Sequence, residues 1–359
     1  MATERDPQSG RPDAPWSASA RRSGLVLGRF LPPHRGHEYL LDVAARTAAP
    51  LTVLVIASPD DPVPGALRVE WVRALAPGAQ VAAVDIGADE RPMPGDPGFV
   101  RRWVDRVRAH VPEGPAWLIG SDDGGLRLAE HLGATYVPVD PRRLAVPVSS
   151  TVIRLDPIAH WAFLAPCVRP YVVRRVCIVG AAATGKSTLA QTLAAHYRTA
   201  WVPEYARVMT EELAVERRRL GPADVVRVAV GQITAEDALA THAERLLLCD
   251  TGLDSIVAWS EALFGDCPAW VRDEAAARAY DLYLVCAPDP ALPDDPDAID
   301  PARARIHARL LELLEPHRAV VILDGPAATR RVRALAAVDK LLLGRELLAA
   351  RHAALGRHH

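Results

Sequence analysis

The chain has 359 residues, 50% of them apolar and 24% charged, with 42 lysines and arginines against 44 aspartates and glutamates for a formal net charge of −2. That length exceeds one ordinary core and suits two domains of ~150 residues each. The near-neutral balance argues against a general nucleic-acid binder, and no run approaches the roughly 20 apolar residues needed to cross a bilayer.

Residues 1–22 are rich in Ser, Pro, Arg and Asp and lack an apolar segment, so they read as a disordered leader rather than a secretory signal or a DNA-binding module. In the first half, strands are expected at 24–28, 51–57, 80–85, 116–120 and 135–139, with helices at 36–47, 67–75 and 99–110. In the second half, strands are expected at 175–180, 200–203, 246–250, 282–287 and 319–324. Helices there are expected at 186–197, 223–243, 254–263, 301–314 and 329–342. Alternation of this kind implies an α/β fold with two parallel sheets, right-handed crossovers, and ligands at the carboxyl ends of the strands. A proline-interrupted stretch at 165–173 separates the series, giving domains at 23–165 and 173–345. Of the five cysteines (Cys167, Cys177, Cys249, Cys267, Cys286) three sit in apolar strand runs, and no CxxC spacing occurs. Reduced core thiols of a cytoplasmic protein fit better than disulfides or a zinc site.

The first strand runs into Gly28-Arg29-Phe30-Leu31-Pro32-Pro33-His34-Arg35-Gly36-His37, followed by an amphipathic helix. Gly28 permits a sharp turn and a close approach of backbone to ligand. The helix beginning near Gly36 aims free N–H groups and its positive end at the same place, which favours a phosphate. His34 and His37 both reach that turn and can donate to charge developing on a transferring phosphoryl group. A second element, Val148-Ser149-Ser150-Thr151-Val152-Ile153-Arg154, carries the hydroxyls of Ser149 and Thr151 and the cationic fork of Arg154. Alone it would be an ordinary N-cap before a short helix.

These segments resemble the GxFxPxHxGH form of the (H/T)xGH motif and the ISxTxxR signature of nucleotidyltransferases. The resemblance implies ATP and nucleotide binding by Gly28, Phe30, Gly36, Ser149 and Thr151, with His34, His37 and Arg154 catalytic. It adds Gly120 and Asp122 after the fourth strand as an ATP subsite, and Arg68 and Trp71 where the family carries an Arg/Trp pair. The family often has Lys where Val152 stands. Trp71, Trp103 and Trp117 could each stack on a bound ring or simply be core, and the sequence does not choose among them.

In the second half, a short apolar strand leads into Gly180-Ala181-Ala182-Ala183-Thr184-Gly185-Lys186-Ser187-Thr188 and then a helix. This is GxxxxGK[ST] in its strand–loop–helix setting, a loop that cradles phosphates with backbone N–H groups. Gly180, Thr184, Gly185 and Thr188 form the loop, Lys186 reaches the β/γ-phosphates, and Ser187 ligates Mg²⁺. Asp250, ending an apolar strand, is the candidate second metal contact or acceptor of the nucleophile's proton. Glu204, Tyr205 and Arg207 lie where small-molecule kinases seat their acceptor, and 289–300 with Arg303, Arg305 and Arg309 lies where they place a lid.

The order of these pieces, with the junction Ser149–Arg154, Trp161-Ala162-Phe163-Leu164 and Val168-Arg169-Pro170-Tyr171, resembles the NadR family. Its members are bifunctional nicotinamide-mononucleotide (NMN) adenylyltransferases and ribosylnicotinamide kinases. The likeness implies a Rossmann-like nucleotidyltransferase domain followed by a P-loop kinase domain. ATP is the co-substrate and Mg²⁺ the cofactor, and nicotinamide riboside, NMN and NAD are the small-molecule partners. Family repressors carry an N-terminal helix-turn-helix that the first twenty residues lack, so no DNA binding is expected, and a homo-oligomer is left open. Gly252 stands where the family commonly has a second acid, and 294–298 lacks the lid's usual Gly and Arg. The alternatives are a coenzyme A synthase-type adenylyltransferase/kinase and a sensor of NAD level with little turnover.

Overall fold

The computed structural model describes residues 22–87, 97–122, 124–215, 217–278, 280–288, 301–315 and 319–344. The expected leader and the lid segment 289–300 lie outside the described residues. The chain divides into two compact units, one running to Arg154 and including Ala162–Val168, the other formed by Leu155–Trp161 and the chain from Arg169 onward.

The first unit contains β1 (Gly24–Gly28), α1 (Arg35–Thr47), β2 (Leu51–Ala57), α2 (Gly65–Leu75), β3 (Gln80–Asp85), α3 (Pro97–His110), β4 (Trp117–Gly120), α4 (Gly124–Leu132), β5 (Thr135–Pro138) and α5 (Ser150–Leu155). Its five strands pair in parallel in the order β3-β2-β1-β4-β5. Alternate residues of β1 point to opposite faces, which sets two cores. Val26 packs with Leu40, Leu41, Val69 and Val72 of α1 and α2, whereas Leu25 packs with Val107 and Leu128 of α3 and α4. Burial on both faces explains why Leu51–Ala57 reads as an apolar run broken only by Thr52. Helix α4 was not expected, because Gly124-Gly125 reads as a turn; burial of Leu128, Ala129 and Leu132 outweighs the glycine penalty. The chain reverses direction across the sheet between β1 and β4, so a crevice opens beyond Gly28 and Gly120.

The second unit contains α6 (Arg169–Val172), β6 (Arg174–Gly180), α7 (Lys186–Tyr197), β7 (Trp201–Val202), α8 (Tyr205–Val215), α9 (Val225–Ala240), β8 (Leu246–Asp250), α10 (Leu253–Phe264), α11 (Ala269–Ala277), β9 (Leu282–Cys286), α12 (Pro301–Leu314), β10 (Val320–Leu323) and α13 (Ala327–Leu343). The sheet is again parallel, in the order β10-β9-β6-β8-β7. One core joins β6, β8 and β9 to α7 and α13 through Ile178, Leu193, Leu248, Leu284 and Val338. Another gathers α8, α9, α10 and α11 through Met209, Val228, Val257 and Val271. Helices α8 and α11 went unrecognised because each buries only two side chains, Met209 and Leu213 in one and Val271 and Ala275 in the other. Two anchors give too weak a stripe to show helical period in the sequence. Cys177, Cys249 and Cys286 are buried in β6, β8 and β9.

Candidate active sites

In the first unit, His34 is the N-cap of α1 and its side chain Nδ1 accepts the Gly36 N–H at 3.1 Å. His37, at the third helical position, accepts the His34 N–H on its own Nδ1 at 3.3 Å. The two histidines thus form the reciprocal capping arrangement usually made by Ser or Thr with Glu. Because both Nδ1 atoms are acceptors, each neutral ring carries its proton on Nε2. Burial, and then the positive charge of Arg143, lowers the His34 pKa from 6.5 to about 4. Burial likewise holds His37 well below its ordinary value, with His34 and Arg143 adding to the effect. Two neutral Nε2–H donors at a helix N-terminus suit an anion without competing for its proton.

The ring of Phe30 is fully buried, lies over Gly28, and sits 4.8 Å from the His37 ring centroid. The sequence reading placed Phe30 on the ligand; the structure makes it the packing that supports His37. A Cβ at Gly36 would stand 2.9 Å from the His34 ring, so glycine there lets the histidine cap close.

Arg154 donates to the Leu31 carbonyl at 2.6 Å and to Thr151 Oγ1 at 3.1 Å, and Ser150 Oγ donates to the Pro32 carbonyl at 3.2 Å. These bonds tie the second motif to the first, and Ser150 was missed because a serine beside two singled-out hydroxyls carries no mark of its own. Ser149 accepts the Val152 N–H at 3.3 Å and so caps α5. Val152 is exposed.

A cleft of about 330 Å³ lies beyond β1 and β4, lined by Gly28, Arg29, Trp103, Gly120, Asp122 and Tyr136 among others. Asp122 also caps α4 through Gly125, and its carbonyl accepts the Tyr136 hydroxyl at 2.5 Å. Of the three tryptophans considered, Trp103 reaches this cleft, Trp71 is buried, and Trp117 packs against the core of α1 and α2. Arg68 departs from expectation. It is completely buried and donates to the carbonyls of Arg29 (2.5 Å), Ile56 (2.9 Å) and Val63 (3.1 Å) and to Asp61 Oδ2 (2.6 Å). Asp61 also pairs with Arg29. Arg68 therefore fixes the loops that end β1 and β2, and its guanidinium faces protein rather than ligand. Arg143, which sequence reasoning missed, is exposed on a turn held by Asp140, whose carboxylate accepts the N–H groups of Leu144, Ala145 and Val146.

In the second unit, Gly180 has φ +140° and the carbonyl of Cys286 occupies the space a Cβ would need. Gly185 has φ +83° and is the N-cap of α7. Thr184 Oγ1 and Lys186 Nζ both donate to the Ala181 carbonyl at 2.8 Å, closing the loop on itself. Register across the sheet sets Asp250 opposite Ile178, beside the loop. Burial raises the Asp250 pKa, and the neighbouring Ser187 hydroxyl, Lys186 and Arg207 oppose that rise. Asp250 Oδ1 is buried with no hydrogen-bond partner.

Glu204 lies within electrostatic reach of Lys186 and Asp250; burial raises its pKa and Arg207, 3.5 Å away, works against it. Lys186, Ser187, Asp250, Glu204 and Arg207 thus converge as expected. Tyr205 does not join them with its ring, which packs on Gly231 and the α8–α11 core. A second cleft, of about 510 Å³, is lined by Thr184, Gly185, Thr188, Ala327, Arg330 and Arg331 among others. The α13 residues were missed, since they lie ~140 positions from the loop they face. Arg330 donates to the carbonyls of Gly325 (2.6 Å) and Thr184 (3.2 Å). Of the lid arginines, Arg305 is exposed, Arg309 pairs with Glu261 and Glu312, and the Arg303 side chain lies outside the described residues. No group of three or more His, Cys, Asp or Glu able to hold a metal occurs among the described residues, and no described helix is long and apolar enough to cross a membrane.

A family model described as an AAA domain matches residues 175–330. Among curated proteins, the trifunctional NAD biosynthesis/regulator protein NadR of Salmonella typhimurium is 27% identical over 281 residues, covering 73% of this chain and 68% of that protein. The protein of the same name from Escherichia coli K12 matches with the same identity and coverage. Among solved structures, NadR in complex with NAD and AMP-PNP shares the fold with a TM-score of 0.73 at 22% identity, over 91% of this chain and 97% of that one. NadR in complex with NR gives a TM-score of 0.73 at 21% identity, over 90% and 97%. In sequence over most of its length the chain is similar to NadR, and it shares that protein's fold: two α/β units, each built on a five-stranded parallel sheet.

Proposed function

We propose that this chain makes NAD by two successive transfers from ATP. In the second unit the 5′-hydroxyl of nicotinamide riboside attacks the γ-phosphate of ATP, giving NMN and ADP. In the first unit the NMN phosphate attacks the α-phosphate of a second ATP, giving NAD and pyrophosphate. The observation that carries this reading is the coexistence in one chain of a neutral His34/His37 donor pair at a helix N-terminus and a P-loop whose Lys186 and Ser187 stand beside the buried Asp250.

In the adenylyl-transfer site, the Nε2–H groups of His34 and His37 and the guanidinium of Arg154 stabilise charge on the transferring phosphate by fixed donors, with no covalent intermediate. In the kinase site, the loop N–H groups orient the phosphates and Lys186 moves from the Ala181 carbonyl to the γ-phosphate. Glu204 or Asp250 accepts the acceptor hydroxyl's proton, and the burial that raises both pKa values makes each a better base than a free carboxylate. Mg²⁺ fits here: Asp250 Oδ1 is buried and unpaired, Ser187 stands beside it, and two protein oxygens suffice for an ion that keeps water and phosphate ligands. When bound, the ion would neutralise charge shared between phosphate oxygens. A cytoplasmic location, where ATP is plentiful, goes with this reading.

The test is a product assay on the full chain with Mg·ATP and nicotinamide riboside, resolving NMN and NAD by chromatography. NAD is the expected product. NMN alone would remove the adenylyltransferase half, and neither product would overturn the nicotinamide assignment and make dephospho-coenzyme A the next substrate to try.

A further inference from the structure

Helix α9 carries a buried amide that the two transfers do not use. Gln232 is 1% exposed, and its Oε1 accepts the Tyr205 N–H at 3.0 Å. Its Nε2 donates to the Thr251 carbonyl at 3.4 Å and to Glu236 Oε1 at 3.3 Å. Tyr205 follows Glu204 directly, and Thr251 follows Asp250 directly. One side chain therefore spans the two backbone segments that present the site's two carboxylates, one at the start of α8 and the other at the end of β8.

The amide has only one workable orientation. An N–H faces it from Tyr205, so oxygen must lie on that side; a carbonyl and a carboxylate face it on the other, so nitrogen must lie there. Glu236, itself fully buried, is bonded by Tyr280 (2.7 Å), Arg278 (2.9 Å) and Arg175 (3.4 Å), and Arg278 and Arg175 also pair with Asp237. The anchor of the amide is thus held from β6, α9 and the segment before β9 at once. One residue earlier, the Tyr205 ring lies against Gly231 where any Cβ would collide with it, so α8 and α9 meet at a single allowed spacing. Thr251 needs an outside hold as well, since it sits at φ +65°, an unfavourable conformation for a β-branched residue.

We propose that Gln232 is a positioning residue of the phosphoryl-transfer site, whose amide holds the chain beside Glu204 and the chain beside Asp250 at a fixed separation. This rests on the kinase reading of the second unit. Neither carboxylate can then drift from the P-loop without breaking a buried hydrogen bond, and phosphoryl transfer is sensitive to displacements of about 1 Å.

The experiment compares Gln232→Met and Gln232→Glu with the native full chain. Gln232→Met keeps the volume and removes all three bonds; kcat for riboside phosphorylation is expected to fall at least about tenfold, with KM for ATP changed less than about twofold. Adenylyl transfer from NMN, made by the other unit, should not change. Gln232→Glu keeps an acceptor for Tyr205, but faces Glu236 and the Thr251 carbonyl with an oxygen that can donate only when protonated. Its kcat relative to the native chain should therefore fall as pH rises. A folded Gln232→Met with native kcat, or a flat pH ratio for Gln232→Glu, overturns the proposal. If Gln232→Met fails to fold, as judged by its melting curve, the Gln232→Glu series decides alone. Absence of riboside phosphorylation by the native chain would instead sink the kinase reading, and basal ATP hydrolysis of the same variants would then decide the role of Gln232.

Discussion

His34 and His37 lie with ring centroids 3.9 Å apart and cap the same helix, each accepting a backbone N–H on Nδ1. In the proposed function the cap and the chemistry are one arrangement: the bonds that start α1 also leave Nε2–H as the free donor of each ring. Replacing either histidine by Ala removes a cap worth about 1 kcal/mol and a transition-state donor worth ~10²–10³ in rate. Adenylyl transfer is expected to drop by that rate factor in His37→Ala while riboside phosphorylation persists. A His37→Ala chain with full adenylyl transfer would exclude the pair from the chemistry.

The same pair makes the first unit acid-sensitive. His34 has a folded pKa of about 4 against 6.5 when unfolded, so the unfolded chain takes up its proton first as pH falls. Stability from this group is complete above pH 6.5 and is lost on descending from there to about 4, a window worth about 3 kcal/mol. His37, lowered in the same sense, adds to the loss. Denaturant melts of the first unit at pH 7 and pH 5 should show the midpoint moving down with pH. A His34→Asn chain, which keeps a capping acceptor without a titrating group, should move less.

Arg68 gives a prediction opposite in kind to a ligand contact. Its removal takes a donor from three carbonyls and the buried cation from Asp61, so Arg68→Met is expected to destabilise the first unit by about 3 kcal/mol. Thermal melts measure this. A native melt together with a raised KM for ATP would restore the ligand-binding role that the sequence suggested.

Gly252 stands where the family commonly has an acid, and the structure supplies the reason it is glycine here. A Cβ at this position would lie 2.7 Å from the Tyr280 hydroxyl and 2.8 Å from Cys177 Sγ. Introducing the family residue as Gly252→Asp should therefore lower kinase activity and the melting temperature together, by displacing a buried tyrosine that holds Glu236. Gly252→Asp paired with Tyr280→Phe, which removes the hydroxyl, should recover part of the stability; no recovery would place the conflict elsewhere.

Contiguous features were fixed by the sequence itself. Gly28 to His37, Ser149 to Arg154 and Gly180 to Thr188 each encode a turn and the start of a helix within ten residues, where local sterics and free N–H groups leave few conformations. The central strands β2, β6, β8 and β9 were equally legible, because parallel strands buried on both faces read as largely apolar runs. Helices α8 and α11 were not, since two buried anchors apiece give no period. Tertiary structure alone decided the roles that depend on partners distant in the chain. Arg68 and Trp71 look like candidate ligand contacts until burial and the carbonyls around Arg68 are seen. Gln232 looks like one polar residue of an amphipathic helix until Tyr205 and Thr251 close on it. The α13 residues join the P-loop cleft only when β10 and α13 pack beside β9. The physical reason is common to all three: the desolvation that fixes a polar group's role is set by neighbours hundreds of atoms away along the chain and a few ångströms away in space.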